Sequence, residues 1–123
     1  MQLHEVVDQR KQVHLIMELC PGMSIFHHIK KVPDQRLPES LCRFIFRQLM
    51  NALAYLHDSG FSHRDLKMDN ILLDPVSKHI KIIDFGFSLK AGYDTKLNVH
   101  CGTPHYMDPD IVKRAPYSGP AAD

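Results

Sequence analysis

His63-Arg64-Asp65-Leu66-Lys67, with Asn70 three residues on, is followed nineteen residues past Asp65 by Asp84-Phe85-Gly86. Together the two stretches read as a phosphoryl-transfer centre. Asp65 can take a proton from an attacking hydroxyl. Lys67 can hold a migrating phosphate if the loop is extended. Asn70 and Asp84 offer hard oxygen ligands, which suit Mg²⁺. A free aspartate, with a pKa near ~3.9, is a weak base. It suffices when it orients the hydroxyl and accepts the proton late. A lone loop carboxylate is usually only solvated, but this set in this order is a specific pattern.

Working outward, Phe61 to Asp84 reads as loop, strand, turn, strand. Ile71-Leu72-Leu73 is a short apolar run, Asp74-Pro75-Val76-Ser77 turns the chain, and His79 to Ile83 alternates like a half-buried strand. Such a hairpin folds Asn70 back toward Asp84, as a shared cation requires. Upstream, Leu37 to Asp58 is the clearest helix. Leu41, Ile45, Leu49, Ala52 and Leu56 recur at three- and four-residue steps, with Arg43, Arg47, Gln48 and Asn51 largely on other faces. Pro38 suits the first turn and Gly60 the end.

Residues 3–19 read as a β-hairpin. Leu3-His4-Glu5-Val6-Val7 is one strand, Asp8 to Gln12 the turn, and Val13 to Leu19 the second strand. Ser24 is an N-cap for a short helix running to about Lys31. Residues 87–120 are rich in Gly, Pro, Thr, Ser and Asp with weak periodicity, so a long functional or mobile loop is expected there.

The composition is 44% hydrophobic and 24% charged, ordinary for a folded domain. A net charge of +1 gives no reason to expect nucleic acid or an anionic membrane as partner. Cys20, Cys42 and Cys101 form no paired motif, so neither a zinc site nor a disulfide framework is expected. Reduced thiols fit a cytoplasmic or nuclear setting. No run is apolar for long enough to cross a bilayer, and residues 1–20 lack the pattern of a signal peptide. The nine histidines show no metal-ligand spacing; His27 and His28, adjacent on a helix, point apart.

The catalytic-loop and Asp-Phe-Gly motifs make this sequence resemble the eukaryotic protein kinases along nearly all of residues 1–123. The resemblance implies an α+β fold seen in part. Residues 1–19 would be the end of the small lobe and the hinge start; residues 20–123 would be the first half of the mostly helical large lobe. It further implies ATP and Mg²⁺ as cofactors and a protein substrate with a Ser or Thr acceptor. Asp65 would be the base, Lys67 its phosphate-contacting companion, and Asn70 and Asp84 the metal ligands. Met17 would be the gatekeeper, Glu18 to Cys20 the hinge against adenine, and Leu72 the residue beneath the ring. Ser24 stands where relatives place a ribose-contacting acid. Gly102-Thr103-Pro104-His105-Tyr106-Met107 would be the substrate-docking loop, with Thr103 bridging Asp65 and Lys67, a serine/threonine trait. The motifs lean toward the calcium/calmodulin-dependent and AMP-activated group.

Arg64 precedes the base, as in kinases whose activation loop is ordered by phosphate, which an arginine can grip bidentately. Yet Val99 stands where a phosphorylated threonine is common, leaving Thr95 as the nearest hydroxyl upstream. The family's Ala-Pro-Glu closure reads Asp108-Pro109-Asp110, Ser62 takes a usually apolar position, and Asp123 matches the aspartate that opens the central helix. The family's glycine-rich loop, its strand lysine and the helix glutamate that pairs with it are absent from residues 1–123. A catalytically incomplete kinase-like module that binds or regulates is therefore the alternative to an active kinase, with a small-molecule phosphotransferase a weaker third.

Overall fold

The computed structural model describes residues 2–123 as an α+β fold of short antiparallel strands around one long helix. β1 (Leu3–Gln9) and β2 (Gln12–Met17) form the expected hairpin. Its turn is only Arg10 and Lys11, tighter than Asp8 to Gln12, because Gln9 pairs with Gln12. β2 ends at Met17, not Leu19, although Glu18 N still donates to Gln2 O at 2.9 Å. Leu3, Val6, Val13 and Leu15, which the pairing sets on one face, are each more than half exposed, so that face of the hairpin is uncovered.

β3 (Met23–Ser24) runs into α1 (Ile25–Lys31). Ser24 Oγ accepts from His27 N at 3.3 Å, satisfying a first-turn donor as an N-cap should. α2 (Glu39–Asp58) starts two residues later than expected, with Pro38 outside it as the N-cap. Gly60, at φ +80°, ends it by donating to His57 O at 2.8 Å. Ile45 and Leu53 are its buried residues; Leu53 falls outside the stripe read from spacing.

β4 (Phe61–Ser62) follows, then the hairpin of β5 (Ile71–Leu73) and β6 (Ile80–Ile82), with Ile71 paired to Ile82. β5 is central in the sheet β3–β5–β6. Its buried residues, Ile71 and Leu73, share a core with Ile25 and Ile45, flanked by Leu37, Leu41 and Leu49. Gln48 locks the helix to this hairpin: Nε2 donates to Lys78 O at 3.0 Å and Oε1 accepts from Ile80 N at 3.2 Å.

The expected long loop over 87–120 contains structure. β7 (Leu89–Lys90) pairs with β4, and β8 (Lys96–Leu97) pairs with β9 (Tyr117–Ser118). Between them lies α3 (Pro109–Val112), and α4 (Gly119–Ala122) follows. Ala91, Leu97, Ile111 and Tyr117 make a second small core. Two-residue strands carry too few side chains to show a period, so the sequence pattern missed them. Ser62 Oγ is buried against Gly119 and has no hydrogen-bond partner among the described residues. No helix among the described residues is long and apolar enough to cross a membrane.

Candidate active site

The loop between β4 and β5 brings its polar residues inward. Asp65 is 5% exposed. Its Oδ2 accepts from Lys67 Nζ at 2.7 Å, and its Oδ1 accepts from Thr103 Oγ1 at 2.6 Å. Lys67 Nζ also donates to Thr103 Oγ1 at 2.7 Å, closing a triangle of three side chains. Asn70 Nδ2 donates to Asp65 O at 2.9 Å and to Oδ2 at 3.2 Å. Burial pushes the Asp65 carboxyl up, but the Lys67 and Thr103 hydrogen bonds outweigh it and hold it below the ordinary carboxylate range. The Asp65 contact, opposed by burial and aided by the charges of Asp69 and Asp84, raises Lys67.

Gly102 makes the approach of the 102–107 loop to the catalytic-motif residues possible. Its φ is +113°, and a Cβ there would stand 2.8 Å from Arg64 O. Arg64 (φ 67°) and Asp84 (φ 62°) also adopt the left-handed region, uncommon for non-glycine residues.

His63 ties the two motifs together. Its Nε2–H donates to Ile83 O at 3.0 Å, and Nδ1 accepts from Asp65 N at 3.2 Å; these partners fix the tautomer. Its ring rests on Phe85, with centroids 4.9 Å apart. From below, the fully enclosed Asp123 carboxylate accepts from His63 N at 2.6 Å, Arg64 N at 2.6 Å and His57 Nε2 at 3.0 Å.

The hairpin sets Asn70 beside the residue that precedes Asp84: Ile83 N donates to Asn70 O at 2.9 Å. Asn70 spends its amide hydrogens on Asp65, which leaves Oδ1 as an acceptor. The Asp84 carboxylate is on an exposed residue and accepts only a 3.3 Å bond from Gly86 N among the bonds seen. An amide oxygen and a carboxylate are hard donors of the kind that Mg²⁺ takes.

At the other end, Cys20 and Leu72 share the walls of a cleft of about 210 Å³ with Pro21 and Lys81. Met17 and Glu18 are not among its walls. Met17 is 42% exposed at the end of β2, and the Glu18 carboxylate takes Lys81 Nζ at 2.8 Å. That bond foremost lowers Glu18 to about 2. Ser24 is buried and occupied as a cap, its Oγ also 2.8 Å from His27 Nδ1.

Arg64 is engaged with other groups. Its guanidinium donates to Phe87 O at 2.6 Å and to Tyr117 Oη at 3.3 Å. The Asp110 side chain lies on an exposed residue, while the substituted Asp108 caps its backbone, Oδ1 accepting from Asp110 N at 2.7 Å. Tyr117 and Gln48 escaped the sequence reading. Both act through long-range backbone contacts that no local spacing announces.

A family model described as the protein kinase domain matches residues 1–123. The chain belongs to the protein kinase family. Sperm motility kinase 3A of Mus musculus is 44% identical over 121 residues, covering 98% of this chain and 23% of the relative. CBL-interacting protein kinase 4 of Oryza sativa subsp. japonica is 40% identical over 126 residues, 100% of this chain and 28% of the relative. Maternal embryonic leucine zipper kinase of Xenopus laevis is 38% identical over 123 residues, 98% and 18% respectively. The chain thus spans about a quarter of the length of the curated relatives it matches. The α+β arrangement is that of part of a kinase domain, as the resemblance implied.

Proposed function

We propose that the protein transfers the γ-phosphate of ATP to a serine or threonine of a protein substrate, and that residues 1–123 carry the transfer centre. One observation carries this reading: the closed triangle of Asp65, Lys67 and Thr103, built from two separate loops. Asp65 is buried enough to hold one orientation, and its lowered pKa keeps it ionised and ready to accept a proton from the acceptor hydroxyl. Lys67 stands beside it as a fixed positive charge for the phosphate in flight. Thr103 anchors the docking loop to both, so a bound peptide meets the base in register. Asn70 and Asp84 would hold Mg²⁺, which when bound neutralises charge on the phosphate oxygens. Cys20 and Leu72 would receive the adenine.

The test is labelled-ATP transfer to peptide by the full-length protein, with Asp65→Asn as control. The expected loss in kcat is about 10²- to 10⁴-fold. A wild-type protein that transfers nothing while still binding kinase substrates or regulators would favour the non-catalytic module instead. Equal transfer by Asp65→Asn would remove Asp65 as the base.

A further inference from the structure

Arg64 carries the charge that a phosphate on the activation segment would seek, yet here it is already engaged. Nε donates to Phe87 O at 2.6 Å, just past the Asp-Phe-Gly stretch. Nη1 donates to Tyr117 Oη at 3.3 Å, and that hydroxyl donates onward to Val99 O at 2.7 Å. A single chain of hydrogen bonds therefore runs from the catalytic loop through a tyrosine to the segment leading into Cys101, Gly102 and Thr103. Two further observations fit. Position 99 holds valine, which cannot be phosphorylated, and its side chain is 61% exposed while its carbonyl is used. Tyr117 is 2% exposed, its ring in the core with Leu97 and Ile111, and β8–β9 pairing sets Leu97 opposite it. Burial pushes the phenol up, with Arg64 opposing, so the hydroxyl stays a donor.

We propose that the Tyr117 hydroxyl is a positioning group that joins Arg64 to the Val99 carbonyl, and so holds the docking loop against Asp65 and Lys67 without a phosphate on the segment. The meaning for catalysis rests on the kinase reading above; the ordering of the segment does not. The hydroxyl reaches the base only through Arg64 and the segment.

The experiment is amide hydrogen exchange over residues 93–103 in the full-length protein after phosphatase treatment. Wild type is expected to show protection that phosphatase leaves unchanged. Tyr117→Phe keeps the buried ring and is expected to exchange about three- to tenfold faster there. Val99→Ala, which leaves the carbonyl in place, is expected to exchange like wild type. Equal exchange in Tyr117→Phe and wild type, or protection that appears only after phosphorylation, would overturn the proposal whether or not the protein is active. In the active protein, Tyr117→Phe is expected to raise the KM for peptide and leave that for ATP unmoved. A fall in kcat alone, with both KM values unchanged, would point to a smaller folded fraction and count against positioning.

Discussion

At the scale of single residues, Thr103 is the most informative position. Its hydroxyl both donates to Asp65 and accepts from Lys67. Thr103→Val keeps the shape and removes both contacts. Asp65 then keeps its burial and loses one of the bonds that lower it, so its pKa rises. The expected outcome is a carboxyl that titrates at higher pH in carbon-detected NMR, and a kcat about ten- to a hundredfold lower. The sign for stability follows from the wild-type shift. A depressed native pKa adds stability that is present above the unfolded carboxyl's value and is lost as pH falls through the native one. The variant should lose less stability on acidification, measured as denaturation midpoint against pH. The cluster of Asp65, Lys67 and Asn70 was legible because short spacings encode it. Tyr117 was not, since its partners stand 53 and 18 residues away in the chain.

At the scale of elements, the helices and the central hairpin were readable because burial repeats along them. The stripe of α2 survives in Ile45 and its flanking leucines, and Ser24 caps α1 as its residue type suggests. What periodicity hid was how elements are fastened to one another. Gln48, read as lying on a polar face, binds both Lys78 O and Ile80 N. Gln48→Ala leaves a carbonyl and an amide of the hairpin unpaired in a half-buried place. We expect a loss of about 1–3 kcal/mol by urea denaturation of the full-length protein. Ser24→Ala removes one cap and should cost about 1 kcal/mol in the same measurement. The two changes act on different ends of the first core.

At the scale of the whole molecule, the accessible surface is 8677 Å². A folded monomer of this mass exposes about 6,800 Å². The excess is apolar in part: Leu15, Ile16, Phe46, Tyr55 and Phe87 are all more than two-fifths exposed. Residues 1–123 expressed alone should therefore bind hydrophobic dyes and melt without a sharp transition. A cooperative calorimetric melt of the monomer well above room temperature would contradict this. The contact between β4 and α4 sharpens the point. Ser62 presents an oxygen that no group among the described residues answers, pressed against a glycine whose added methyl would lie 2.5 Å from it. Such a contact is an engineering opportunity: Ser62→Ala deletes a buried hydroxyl and should stabilise the protein by about 1 kcal/mol. Gly119→Ala should loosen it, because the joint was machined to the width of a hydrogen atom.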